Sequence, residues 1–298
     1  MGDPTRYLKP EVVAGLKRID LKARLIVEGF IAGLHRSPYR GRSVEFADFR
    51  TYNPGDDPKS IDWKIYARTD RYYVKEYEER TNLKAYLLLD RSGSMAYGEP
   101  MTKFDYGAAL LASIGYLLLR QRDSVGIGLF DERMRAVIPP SNQSHQLRLI
   151  LELLDRTQPS SRTGIADAIA EISARIRRRG MIILCSDLLA DPEPTISSIT
   201  LLRGMKNEVI VFMILSPDEL GFPFSRPVRF RDLEEGDELL IEPRRIRDGY
   251  RRRLEGFIHR YERDLLAQNI DFMLVTTDTP FDRALLTFLE KRRRMWHS

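Results

Sequence analysis

From residue 84 onward, short apolar runs alternate with segments of helical spacing. Ala85-Tyr86-Leu87-Leu88-Leu89, Val125 to Phe130, Met181 to Cys185 and Val209 to Leu215 are apolar runs of strand length, Met134 to Ile138 is a shorter one, and Asp271 to Thr276 reads as a further strand. Between and after them, the spacing predicts helices at about 103–120, 144–156, 164–178, 193–204, 246–268 and 280–293. Strands that are apolar along their whole length, alternating with helices, predict βαβ units in a sheet covered on both faces. The expected fold class is α/β, a doubly wound, mostly parallel sheet over residues 82–298, with an insertion at about 216–245 that carries Pro, Gly and acidic turns.

The first 81 residues read differently, as a helical and β-containing N-terminal extension. Helices are expected at about 8–18 and 20–35, the second from Leu21, Leu25, Ile26, Phe30 and Leu34. A polar, aromatic-rich stretch follows at roughly 36–80, with a turn at Pro54-Gly55-Asp56-Asp57 and a weakly alternating, half-exposed strand from Tyr72 to Tyr77.

Composition narrows the function classes. With 298 residues, 43% of them hydrophobic, the chain can bury a sizeable core without covalent staples. Its one cysteine, Cys185, excludes an internal disulfide and points to a reducing compartment. That cysteine and four scattered histidines make no Cys/His zinc pattern. The formal charge of +5 comes with arginine runs at Arg177 to Arg179, Arg244 to Arg253 and Arg292 to Arg294. They read as solvated helix faces and ends; no aromatic-interleaved basic motif accompanies them, so nucleic-acid binding is not expected. Asp3, Arg6 and Lys9 break any leader-like apolar region, and the longest apolar run, about Gly107 to Leu119, is shorter than a membrane span. A soluble, cytoplasmic protein without membrane insertion is the expectation.

In an open parallel sheet the functional crevice lies outside the carboxyl ends of the strands. There the sequence delivers Asp90-Arg91-Ser92-Gly93-Ser94 after the first apolar run, Asp187 after the run at 181–185, and Thr163 before a helix. Two carboxylates and three hydroxyls form an all-oxygen set suited to a hard cation, Mg²⁺ or Mn²⁺. Ser92 and Ser94 lie two apart in a tight loop, and Gly93 between them permits the turn. Two carboxylates balance a divalent charge and no more, so the ion would stay electrophilic and accept an outside carboxylate.

The set resembles the metal-ion-dependent adhesion site of von Willebrand factor type A domains, whose pattern is Asp-x-Ser-x-Ser, a later Thr and a later Asp. Asp90, Ser92 and Ser94 match it after an apolar strand, Thr163 precedes its helix, and Asp187 ends a strand. Leu188 stands where that family usually has glycine. Glu45-Phe46, Arg50, Tyr52, Pro54 to Asp57, Ile61-Asp62-Trp63 and Ala67-Arg68, with Phe230, Asp232, Glu234, Gly236 and Tyr250, are similar to the signature of the domain of unknown function family fifty-eight. That resemblance implies a type A core behind an N-terminal signature region. It also implies association with a MoxR-type AAA+ ATPase, as an adaptor or chaperone-type partner.

Plainer readings stand beside these. Asp90, Ser92 and Ser94 could cap the following helix, Thr163 could be an N-cap, and Asp187 could close a turn. Phe46 and Trp63 read as core, while Arg50 and Arg68 either pair with Asp56, Asp57 or Asp62 or face a partner. Cys185 reads as an inert hydrophobe on a buried strand, and His145 as an exposed helix start. The leading expectation is a non-enzymatic, cation-dependent protein-binding module; the alternative is a metal-dependent hydrolase or phosphotransferase. Against the alternative, Ser92 stands where a haloacid-type phosphatase needs a second Asp. Arg91 to Met95 also lacks the Gly-x-Ser-x-Gly frame, and no P-loop or dinucleotide fingerprint is present.

Overall fold

The structure is a computed structural model that describes residues 9–36, 49–51, 73–75, 83–160, 162–176, 179–231, 233 and 238–295. Internal contacts divide the chain into two units, one of residues 1–32 and 83–298 and one of residues 33–82. The smaller unit contains β1 (Phe49–Thr51) and β2 (Tyr73–Lys75), antiparallel, with Phe49 opposite Lys75. The remainder of the 45–68 signature lies outside the described residues, as do Arg177, Arg178, Asp232, Glu234 and Gly236.

The larger unit opens with α1 (Pro10–Ala14) and the greater part of α2 (Ile19–Arg36). The helix expected at 8–18 is thus five residues long, closed at Gly15, and the chain turns before α2. Two more pieces lead to the sheet's first crossover: β3 (Lys84–Asp90) and, after a turn of 3-10 helix at Gly93–Ala96, α3 (Lys103–Arg120). Then follow β4 (Ser124–Phe130), β5 (Met134–Ser141), α4 (Gln146–Arg156), α5 (Ile165–Ser173), β6 (Met181–Ser186), α6 (Pro192–Gly204) and β7 (Glu208–Leu215). The chain ends with α7 (Pro217–Gly221), β8 (Val228–Arg231), β9 (Glu238–Ile241), α8 (Pro243–Ala267), β10 (Asp271–Thr276) and α9 (Phe281–Met295).

Six strands form one sheet in the order β10-β7-β6-β3-β4-β5, parallel except for β5. The mixed α/β expectation holds, and the sheet is mostly parallel. Alternate side chains of the central strands divide between two layers, as strand pleating requires. Tyr86, Leu88, Ile182, Leu184, Val209 and Val211 pack with α5, α6 and α8. Leu87, Leu89 and Cys185 face α3, whose Gly107 lets the helix approach closely: a Cβ there would stand 2.8 Å from Leu89 and 3.0 Å from Ile214. The outer side of α3 is covered in turn, with Tyr106 stacked on Phe281 at 4.6 Å and its hydroxyl donating to the Thr279 carbonyl.

Three differences from the sequence expectation have local causes. The helix expected at 164–178 ends at Ser173, and the chain enters β6 through Gly180, where a Cβ would lie 2.3 Å from the Lys84 carbonyl oxygen. The insertion at 216–245 is structured: it holds α7 and the β8–β9 ribbon. Phe222, Phe224, Phe230 and Tyr250 form its small aromatic core, with ring centroids 4.7 to 5.7 Å apart. Finally β5 runs three residues longer than expected, through Pro139 and Pro140, which a strand tolerates at a sheet edge.

Those prolines lack N–H groups, and the β4–β5 ladder shifts register between Val125 and Ile127. Gln146 makes good the missing donors. It is buried, and its amide donates to the Val125 carbonyl at 2.6 Å and the Pro139 carbonyl at 2.9 Å. Gln146→Leu keeps the volume and removes both bonds, so it should destabilise the chain by about 1–3 kcal/mol in urea denaturation. An unchanged midpoint would show that these carbonyls need no partner.

Candidate functional site

Parallel strands deliver their carboxyl ends to one edge. Here β3 ends in Asp90, β4 is followed by Asp131, β6 ends in Ser186 and is followed by Asp187, and β7 is followed by Ser216. All five residues are buried.

Asp90 is the centre of the arrangement. Its Oδ1 accepts the Ser92 N–H at 2.8 Å, and its Oδ2 accepts the Ser186 hydroxyl at 2.6 Å. The Ser92 and Ser94 hydroxyls lie 3.1 Å apart. Burial, and then the nearby Asp187 carboxylate, push the Asp90 carboxyl up to about 7. Dipoles alone therefore do not compensate its charge.

Asp187 is held differently. Its Oδ1 accepts the Leu189 N–H at 3.2 Å, and its Oδ2 accepts from Lys103 Nζ at 2.7 Å. Lys103 opens α3 and is fully buried, and its ammonium also donates to Glu219 Oε1 at 2.7 Å. Burial alone would lower the Lys103 pKa, but Asp187 and Glu219 reverse that and hold it above the ordinary lysine value. The other Glu219 oxygen accepts the Ser216 N–H at 2.6 Å, closing a capping box on α7. Tyr250 borders this group, its phenol pushed up to about 12 by burial and then by Glu219.

Leu188, the departure from the glycine pattern, has φ of 55° and is fully buried. A left-handed conformation costs an L-residue about 1–2 kcal/mol. The side chain offsets this by packing into the core, and the backbone is pinned on both sides: its N–H donates to Ser186 Oγ, and its carbonyl accepts from Tyr261.

The loop that carries Thr163 is fastened to the same edge. Ser160 N–H donates to the Arg91 carbonyl at 2.8 Å, Gly164 N–H to the Asp131 carbonyl at 3.0 Å, and Arg91 N–H to the Phe130 carbonyl at 2.7 Å. The Arg91 guanidinium donates to the Ser160 hydroxyl and lies 3.7 Å from Asp131. Arg135 donates to Asp131 at 2.6 Å. Glycine is required at 164, where a Cβ would stand 2.6 Å from the Glu132 carbonyl oxygen.

Asp90, Ser92 and Ser94 are thus joined by direct bonds, and Asp187 is near enough to act on Asp90. Thr163 is half-buried and shares their edge through its loop. Sequence reading passed over Ser186, Lys103, Glu219 and Asp131. Two of these left a trace: Ser216-x-x-Glu219 is a capping-box pattern, and Lys103 is a lone lysine heading a long apolar helix. Among the described residues, no three His, Cys, Asp or Glu side chains gather as a ready metal ligand set. Any cation here would rest on Asp90 and the hydroxyls beside it. The chemistry of that set fits a hard ion, because its oxygens cluster around a buried negative charge that only dipoles now oppose.

Among the described residues, no helix is long and apolar enough to cross a membrane. The uncharacterised proteins Rv1480 of Mycobacterium tuberculosis and Mb1516 of Mycobacterium bovis are each 26% identical over 295 residues, 96% of this chain and 91% of theirs. YeaD of Bacillus subtilis, also uncharacterised, is 31% identical over 120 residues, 39% of this chain and 28% of its own. Among solved structures, the conserved hypothetical protein BatB from Bacteroides thetaiotaomicron aligns with a TM-score of 0.48 at 16% identity, over 71% of this chain and 99% of that one. An aerotolerance-related membrane protein from Bacteroides fragilis aligns with the same TM-score, over 70% and 99%. The family model "Protein of unknown function DUF58" matches residues 48–256, more than half of the chain, and the chain belongs to that family.

Proposed function

We propose that this chain is a non-enzymatic, cation-dependent protein-binding module of the von Willebrand factor type A kind. Asp90, Ser92 and Ser94 would hold Mg²⁺ or Mn²⁺, with Thr163 and Asp187 completing the surrounding oxygens. The bound ion would supply a positive centre for a partner's carboxylate. The chain's own residues fix that centre: Ser92 N–H and Ser186 Oγ orient Asp90, and Lys103 and Leu189 N–H orient Asp187. The partner on this reading is a MoxR-type AAA+ ATPase, and the setting is cytoplasmic.

The observation that carries the proposal is the buried Asp90 carboxylate, which faces hydroxyls and a second carboxylate and keeps an unbalanced charge. The surroundings favour binding over hydrolysis. Cys185 is fully buried and its thiol is raised well above the ordinary value, so it is a poor nucleophile. His145 is exposed at the start of α4, and His259 is exposed on α8 between Glu255 and Glu262.

Calorimetry should show Mg²⁺ or Mn²⁺ binding to the wild type and none to Asp90→Asn, with both proteins folded by circular dichroism. A purified MoxR-type ATPase should then be retained on the immobilised chain in Mg²⁺ and released by EDTA. Asp90-dependent hydrolysis of a phosphate ester, or a folded wild type that binds neither ion, would sink the proposal.

A pH signature follows from the same carboxyl. Its pKa is about 7 in the folded chain, well above the ordinary aspartate value. The stability it contributes is therefore fully present below about pH 4 and is lost as pH rises to about 7. In EDTA at pH 8, Asp90→Asn should be more stable than the wild type by roughly 2–4 kcal/mol. The gap should close on acidification to pH 4, as read by urea denaturation across that range. A gap that is absent, or that widens toward low pH, would show that the Asp90 charge is compensated within the protein.

A further inference from the structure

We infer that Lys103 is a resident counter-charge that weakens this site's hold on a divalent cation, and that Glu219 tempers it. The inference rests on the cation-dependent reading above.

Lys103 is fully buried, so its ammonium cannot leave for solvent. It lies 2.7 Å from Asp187 Oδ2 and 2.7 Å from Glu219 Oε1. Its position is fixed from three sides. Thr102 caps α3 by accepting the Asp105 N–H at 3.0 Å, and Lys103 N–H donates to the Tyr97 carbonyl at 2.9 Å. Glu219 is itself anchored by the Ser216 N–H. The ammonium therefore remains beside Asp187 whether or not a cation arrives.

Charge counting gives the consequence. With Asp90 ionised, as a bound cation would hold it, Asp90, Asp187 and Glu219 set three negative charges against one positive charge, leaving two, which a divalent ion matches. Removing the ammonium would leave three, and removing the Glu219 charge would leave one. Charges held out of water interact strongly over a few ångströms, so each change should move cation affinity in the direction of the count. A lysine with a purely structural role predicts otherwise, since losing either partner of a buried pair would loosen the site.

The test is calorimetric titration of Mn²⁺ into the full chain, with circular dichroism as a check on folding. Lys103→Met should bind about tenfold more tightly or better, and Glu219→Gln about tenfold more weakly or worse. The double variant, which restores the count of two, should return near the wild type. If Lys103→Met does not fold, Glu219→Gln and the double variant decide the matter by the same order. Weaker binding by a folded Lys103→Met, or unchanged binding by Glu219→Gln, overturns the inference and leaves the cation-dependent reading intact, provided the wild type binds and Asp90→Asn does not. A wild type that binds no Mn²⁺ overturns both.

Discussion

The site edge of this fold depends on the contact between Lys103 and Asp187. Two opposite charges, both without solvent exposure, meet at 2.7 Å where β6 ends and α3 begins. Taking such charges out of water costs several kcal/mol per ion, and only tight geometry with further hydrogen bonds offsets it. The Leu189 N–H and the Glu219 carboxylate supply those bonds. The contact therefore links β6, α3 and α7, three elements far apart in the chain. Asp90 has no such partner. It is stabilised by one N–H and one hydroxyl, which orient the carboxylate without cancelling its charge. This asymmetry between two neighbouring acids is the main electrostatic fact of the molecule.

How much of this is legible in the sequence follows from the range of each interaction. Parallel strands buried on both faces need continuous apolar runs, so β3, β6 and β7 stand out, and the bounds of α3 are those its spacing predicts. Asp90, Ser92 and Ser94 are legible together because one short loop brings them together. Lys103 meets Asp187 across 84 residues and Glu219 across 116, and no local pattern encodes such a meeting. The β8–β9 ribbon was hidden for a similar reason. Its strands are four residues each, and Leu239 and Leu240 remain 63% and 72% exposed. Ring contacts of Phe230 with Phe222 and Phe224 hold it, with Phe222 packed in turn on Tyr250 of α8, rather than a two-residue alternation.

The edge is also built to be rigid. Glycine at 164 lets the loop pass the Glu132 backbone, and Leu188 sustains a left-handed conformation because core packing and two hydrogen bonds fix it. Strain of this kind persists only where the surroundings over-determine it. The loops that carry Asp90 and Thr163 are tied to each other through Arg91 and Ser160, and to the end of β4 through Asp131. Ser92, Ser94 and Thr163 thus stand on backbone that is braced before any ligand is considered.

On the cation-dependent reading proposed above, pre-formed geometry and unbalanced charge together favour a site that would receive a cation without rearranging. A site that had to fold around its ligand would spend binding energy on ordering its loops. Here the hydrogen bonds that orient both acids are already made, and the carboxylate oxygens keep lone pairs beyond those bonds. What would oppose the cation on that reading is the neighbouring ammonium rather than disorder. Affinity in such a site is set by charge placement, and charge placement can change through a residue that never touches the ion. Lys103 and Glu219 occupy that position, which makes the small insertion bearing α7 an electrostatic part of the site as well as its neighbour.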